Sequence, residues 1–292
     1  MPAQPIGDIT QTSSHWLEAN GGAAANSPGV RIALHQTALL GMSWCDQLAT
    51  AQNQHWQRVG ILRKTLWKYG AATVARSLRA HRLSASSLSW AGGFTGSLGF
   101  SFREAIDDGR QALDEAHAIG AETVVITPGD RAGHTFRHAR RLVVDGLKAL
   151  VDVAADRRLR LAVLVSPPAR YAAASYLSAD DAALELLDEV GSPVLGLACA
   201  LPRGDGHPAL IERWQRIVRR SWVVWSDSEP STSPLRELLP RLALSGFDGV
   251  WELRSQARKA ASNPREQRDS CRALSEALGL PNVSQLVRQA SA

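Results

Sequence analysis

Apolar and polar positions follow two periods along this chain, and they alternate. The clearest stretch runs from residue 100 to 168. The segment SFREAIDDGRQALDEAHAIG places Ile106, Gly109, Leu113 and Ala116 on one helical face. A β-branched run over 123–127 follows and stops at Pro128-Gly129. After the loop DRAGHT, a second long helical pattern places Val143, Leu147, Leu150, Val151 and Ala154 on one face. A further apolar run over 159–165 ends at Ser166-Pro167-Pro168. Nearly continuous apolar strands separated by amphipathic helices predict a parallel sheet covered by helices.

The rest of the chain keeps this rhythm. Strands are predicted over 30–34 (ending at His35), 59–62, 85–90, 123–127, 159–165, 194–199, 222–225 and 249–252. Helices are predicted over 43–57, 71–81, 179–190 after a capping Ser178, 209–219, 234–244 and 263–278, besides the two just described. Ala91-Gly92-Gly93-Phe94 reads as a loop. Eight strand–helix units in strict alternation predict an α/β fold, a single (β/α)8 barrel over 29–292. Residues 1–28, rich in Gly, Ala, Ser, Asn and Pro, read as a mobile tail. A doubly wound open sheet is the competing topology. It would normally carry a glycine-rich phosphate turn after its first strand, and neither G-x-G-x-x-G nor a P-loop is present.

Composition narrows the function classes. The chain has 292 residues, enough for one barrel with short extensions, and 45% of them are hydrophobic. Its three cysteines, Cys45, Cys199 and Cys271, are widely spaced and match neither a zinc motif nor a disulfide framework. A reducing compartment follows. The net charge is +5, but the arginines (Arg76, Arg79 and Arg82, for example) are scattered over helix faces. Nucleic acid is therefore not the expected partner. No run of 18 apolar residues and no basic-then-apolar leader is present, so no membrane contact and a cytoplasmic location are expected.

In a (β/α)8 barrel the chemistry lies at the carboxyl ends of the strands. Those ends are His35, Arg63 with Lys64, Trp90, Asp130 with His134, Ser166, Cys199, Asp227 and Glu252. Arg63 and Lys64, directly after a strand, suit an anionic or polyhydroxyl ligand. Trp90 and Trp225 suit stacking on a sugar ring. His134 and His138 stand four apart, a spacing compatible with a metal, but no third ligand is near them. Cys199 has no helix terminus or cation in its sequence neighbourhood to lower its pKa, so it is not read as a nucleophile.

The phrase ALDEAHAIGAETVVITPG, followed by a helix and a strand, resembles the xylose-isomerase-like TIM barrels, the sugar phosphate isomerase/epimerase and endonuclease IV superfamily. The resemblance spans roughly residues 30–280. It implies a divalent cation, Mn²⁺ or Mg²⁺, held by two glutamates, an aspartate and a histidine from strands five to eight. This sequence departs from that set. The strand-five glutamate position falls near Leu164, the strand-six aspartate near Cys199 or Ala200, and the strand-seven histidine on Val224 or Trp225. The strand-eight glutamate is kept as Glu252, and Asp227 matches an acidic residue that often follows the histidine. One or two carboxylates do not hold a catalytic Mn²⁺ tightly, so the family metal site is not expected here.

The resemblance implies an isomerase/epimerase-like protein acting on or binding a carbohydrate-type ligand at the barrel mouth. Glu252 would be its acid/base, assisted by Asp227, His35 and His134. Arg63, Lys64, Trp90, Asp130 and Trp225 would contact the ligand. The alternative is a barrel that has lost catalysis and serves as a ligand-binding or protein-interaction module. An endonuclease-IV-like enzyme would need more histidine and acidic ligands than the chain supplies.

Overall fold

The computed structural model describes residues 31–165, 175–177, 180–200, 216–227, 246–254 and 264–277. Eight parallel strands close into a barrel in chain order. They are β1 (Arg31–His35), β2 (Arg58–Leu62), β3 (Ser84–Gly92), β4 (Thr123–Thr127), β5 (Arg160–Val165), β6 (Leu195–Ala200), β7 (Ser221–Asp227) and β8 (Val250–Arg254). β8 returns to β1 with Ala33 opposite Glu252. The described helices are α1 (Trp44–Asn53), α2 (Arg63–Tyr69), α3 (Ala71–Ala80), α4 (Phe102–Ile119), α5 (Phe136–Asp156), α6 (Asp180–Val190) and α7 (Pro264–Ala277). A 3-10 turn, Gln36–Leu39, follows β1. No described helix is long and apolar enough to cross a membrane. The expected tail over 1–28, the cap at Ser178, the strand-end Ser166 and the helix over 234–244 lie outside the described residues. So does most of the helix expected over 209–219.

The two-residue period of the strands sorts the core into two layers. Ala33, Val125, Ala162, Leu164, Ala198, Val223, Trp225 and Val250 meet inside the barrel. Their neighbours, among them Leu34, Ile61, Val124, Leu161, Leu197 and Leu253, face outward and pack on the helices. The predicted helix faces are the buried ones: Gly109, Leu113 and Ala116 on α4, and Val143, Leu147, Leu150, Val151 and Ala154 on α5. Gly109 is required by close approach. A Cβ there would stand 2.6 Å from Leu150 Cδ1. Ser101 opens α4 with a capping box to Glu104, and Thr135 caps α5.

Two features were not expected from the sequence. α2 begins directly at Arg63, although no helix was predicted between the second strand and residue 71. β3 runs on through Gly92 and carries two bulges, one against β2 and one against β4. At the first, Val59 pairs with Ala85 and Ile61 with Leu88, so Ser86 and Ser87 both oppose Gly60. A bulge of this kind re-aims side chains. Here it directs a serine hydroxyl into the barrel.

The amino-end floor of the barrel is closed by charge. Arg31 donates to Glu122 at 2.6 Å and to the Asp248 carbonyl at 2.5 Å. Arg160 donates to the same carbonyl at 2.6 Å and to the Asp248 carboxylate at 2.7 Å. Its guanidinium also lies 4.2 Å from the Trp222 ring centre. Arg58 approaches Glu122 at 3.5 Å.

Candidate functional site

At the opposite end, the inner faces of β1, β3, β7 and β8 bring one group of polar side chains together. Glu252 sits at its centre and is fully buried. Ser86, turned inward by the β3 bulge, donates to Oε1 at 2.7 Å. Trp225 Nε1, on the neighbouring strand, donates to Oε2 at 2.8 Å. Burial raises the pKa of Glu252 above the ordinary carboxylate value. The hydroxyls of Ser86 and Ser87, the Trp225 N–H and the Arg254 charge oppose that shift and do not cancel it.

His35, at the end of β1, is equally buried. The Thr37 amide donates to its Nδ1 at 3.2 Å, and the Thr37 hydroxyl lies 2.8 Å from the same nitrogen. Nδ1 is thus an acceptor, and the ring proton is on Nε2. That Nε2–H is buried without a protein partner. Burial, followed by the Arg254 charge, holds the His35 pKa well below its usual value and keeps the ring neutral. Gly60 leaves room for both groups to pack over its backbone. A Cβ on it would lie 2.7 Å from both Glu252 Oε1 and His35 Cδ2.

An aromatic wall completes the group. Trp225 meets Trp90 edge to face, with ring centres 5.4 Å apart, and His35 lies 6.0 Å from Trp225 in a similar arrangement. The Arg254 guanidinium carbon stands 4.5 Å from the Trp225 ring centre and 5.9 Å from that of Trp90. Trp90 is half-buried and Arg254 nearly buried. Arg254 and Ser86 were missing from the sequence-derived site. Arg254 could have been found, because it follows Glu252 by two in a strand and shares its face. Ser86 could not, because only the bulge points it inward.

Arg63, Asp130 and His134 make their contacts outside this group. Arg63 does not face the mouth. Its side chain is almost fully buried, pairing with Asp108 at 2.6 Å and Glu115 at 2.6 Å on α4. Tandem cations after a strand were read as a ligand grip, but the first of them bolts α2 to α4. Lys64 is exposed on α2. Asp130 Oδ1 accepts from the Ala132 amide at 2.7 Å, which shapes its own loop. His134 Nε2 lies 3.2 Å from the Thr95 carbonyl, and its ring centre is 4.7 Å from that of His138. Asp227 closes β7 in register with Arg254; its side chain lies outside the described set. Cys199 belongs to the outer layer, where burial raises its thiol pKa to about 12, so Ala198 is the inward-facing residue there.

Among the described residues, this arrangement does not supply the ligand set that the resemblance implies for a divalent ion. The inner positions at the ends of β5, β6 and β7 carry Leu164, Ala198 and Trp225. Both oxygens of Glu252 already accept hydrogen bonds, and a guanidinium stands beside it. Among the described residues no three His, Cys, Asp or Glu side chains converge.

Comparisons with known proteins agree with this architecture. The protein from Sinorhizobium meliloti 1021 called SMc04130 superposes with a TM-score of 0.68 at 20% identity, over 84% of this chain and 96% of that one. D-allulose 3-epimerase from Methylomonas sp. superposes at 0.68 and 17% identity, over 88% and 99%. The 3-keto-D-glucoside 4-epimerase YcjR of E. coli superposes at 0.69 and 13% identity, over 86% and 99%. At these identities the likeness is one of fold. No curated protein sequence matches the chain. The sequence model of the xylose isomerase-like TIM barrels matches residues 40–200, which is 161 of 292 positions. The chain therefore belongs to the xylose isomerase-like TIM barrel family.

Proposed function

We propose that this barrel binds a small carbohydrate-type ligand at the carboxyl ends of its strands, without a divalent ion at Glu252. The carrying observation is the state of Glu252. It occupies the last strand, where the family resemblance expects a metal-binding glutamate, yet Ser86 and Trp225 take both of its oxygens. Around it are the elements of sugar recognition. The half-buried Trp90 presents aromatic surface for the apolar face of a sugar ring, with the buried Trp225 packed behind it. Arg254 places a cation against these rings, and the buried Nε2–H of His35 matches an oxygen acceptor. Solved proteins of this fold include enzymes named as acting on D-allulose and on a 3-keto-D-glucoside, which supports the substrate class.

A second reading keeps catalysis. The raised pKa of Glu252 brings it toward the range useful for proton transfer. Glu252 would then be the acid/base, with the neighbouring His35 assisting.

Calorimetric titration with D-allulose, D-fructose and D-tagatose, in chelator and then in Mn²⁺, tests the proposal. Binding of at least one ketose that is equal in both conditions, and weakened about tenfold by Trp90→Ala, is expected. Binding that requires Mn²⁺, or no ketose binding at all, overturns it. Deuterium incorporation from D₂O into the sugar distinguishes the two readings. Exchange abolished by Glu252→Gln establishes the enzyme, and its absence leaves the binding module.

A further inference from the structure

Three buried polar atoms on the inner wall of the barrel have no protein partner among the described residues: His35 Nε2, Ser87 Oγ and Ser89 Oγ. His35 and Ser87 are fully buried, and Ser89 is 1% exposed. The strand register places all three on one side of the barrel. Ser87 pairs with Thr123 and Ser89 with Val125, which points inside, so both serines face inward. His35 pairs with Gly60, and Ser87 opposes the same glycine across the β3 bulge. Glu252 packs over that glycine too. Ser87 lies close enough to Glu252 to oppose the effect of its burial, without closing a hydrogen bond of its own. Ser89 is followed directly by Trp90.

Leaving such groups unpaired is costly, and folded proteins avoid it. The inward positions of a parallel barrel are ordinarily filled by Val, Ile and Leu. Alanine at either serine would remove the cost as well. Here the cost is gathered in one place, beside the aromatic wall of the sugar site. The donors and acceptors indicate what would relieve it. His35 Nε2–H donates, and each serine hydroxyl both donates and accepts. Ligand hydroxyls, which also do both, can satisfy all three. A carboxylate or phosphate would bring its charge out of water beside Glu252, and an ammonium would face the His35 N–H.

We propose that His35, Ser87 and Ser89 are specificity-determining residues that read hydroxyl groups of the ligand from inside the barrel. The inference rests on the sugar-binding reading above, and adds the side chains that tell a hydroxyl from a hydrogen. Ser86 is not among them, because Glu252 already takes its hydroxyl. Entry of the ligand hydroxyls shifts a neighbouring side chain, and Trp90 is the least buried member of the group.

The test is calorimetric titration of the full chain, Ser87→Ala and Ser89→Ala with D-allulose, D-fructose and D-tagatose, each beside its singly deoxygenated analogues. The parent is expected to bind a ketose at least about tenfold more tightly than one of its deoxy analogues, because the analogue leaves a buried group unpaired. Each variant should bind that ketose about tenfold more weakly and lose the preference for it over the analogue. Without sugar, neither variant should melt below the parent, since neither hydroxyl has a partner to lose. Unchanged ketose affinity, or discrimination kept in full, overturns the proposal and leaves the sugar site standing. Weakened binding that comes with a lowered melting temperature of the free protein also overturns it, and makes the hydroxyls structural. No ketose binding to the parent overturns the sugar reading and this inference together.

Discussion

Gly60→Ala is the most direct probe of the close packing of Glu252 and His35 over Gly60. The backbone does not oppose the change, because Gly60 is not among the residues with positive φ. On chain entropy alone the alanine would stabilise by about 0.4–1 kcal/mol. The space decides otherwise. The new methyl would lie 2.7 Å from Glu252 Oε1, 2.7 Å from His35 Cδ2 and 2.8 Å from Glu252 Cδ. Comfortable contacts between carbons are about 3.5–4.0 Å. Neither neighbour is the free end of a flexible chain. Glu252 is held by Ser86 and Trp225, and His35 by Thr37. Overpacking of this kind costs about 1–3 kcal/mol. Pulling Glu252 off the Trp225 N–H leaves a buried donor unsatisfied, for about another 1–3 kcal/mol. A net loss of about 3 kcal/mol corresponds to a fall of roughly 6–12 °C in Tm. Thermal melts by far-UV circular dichroism measure it, and the near-UV spectrum reports the displaced Trp225. A variant melting within a degree or two of the parent, with an unchanged near-UV spectrum, would refute the reasoning.

Glu252→Gln should change the pH dependence of stability. The native state holds the Glu252 proton at pH values where the unfolded chain has released it, so Glu252 contributes a loss of stability as pH rises from the ordinary carboxylate value through the raised native one. Urea melts across pH should show that loss in the parent and not in the variant. His35 acts with the opposite sign: its lowered native pKa makes acidification below about 6.5 destabilising, and His35→Gln should flatten that acid limb. Arg63→Met should cost about 3 kcal/mol in urea unfolding, because it strands Asp108 and Glu115, and should leave ketose affinity unchanged. Burial raises the thiols of Cys199 and Cys271 to about 12, so a thiol reagent should rapidly titrate Cys45 alone in the native protein.

Much of the barrel was legible from the sequence. The run over 123–127 coincides with β4, because a strand buried on both faces carries its own signature of uninterrupted β-branched residues. The faces of α4 and α5 were equally plain, since each buries a wide apolar stripe. Glu252, His35, Trp90 and Trp225 were read at strand ends without any knowledge of the ligand, and the structure brings these four side chains together. What escaped was local geometry. β3 was read to stop at Trp90, because Ala91-Gly92-Gly93 looks like a loop, and the bulges that extend it leave no mark in hydrophobic period. Arg63 was misplaced for a related reason. A cation after a strand can point to the mouth or to the helix layer, and its acidic partners lie 45 and 52 residues away on α4.

The floor network has a consequence for how such a chain could change over time. Arg31 and Arg160 reach one residue, Asp248, and Arg31 and Arg58 converge on Glu122, so strands one, two, four, five and eight are laced together at the end remote from the barrel mouth. Closure of the barrel is thereby insured against events at the other end. Leucine, alanine and tryptophan could replace oxygen ligands at the mouth, one after another, while the staves stayed hooped from below. A lineage built this way can exchange its chemistry without putting its shape at risk.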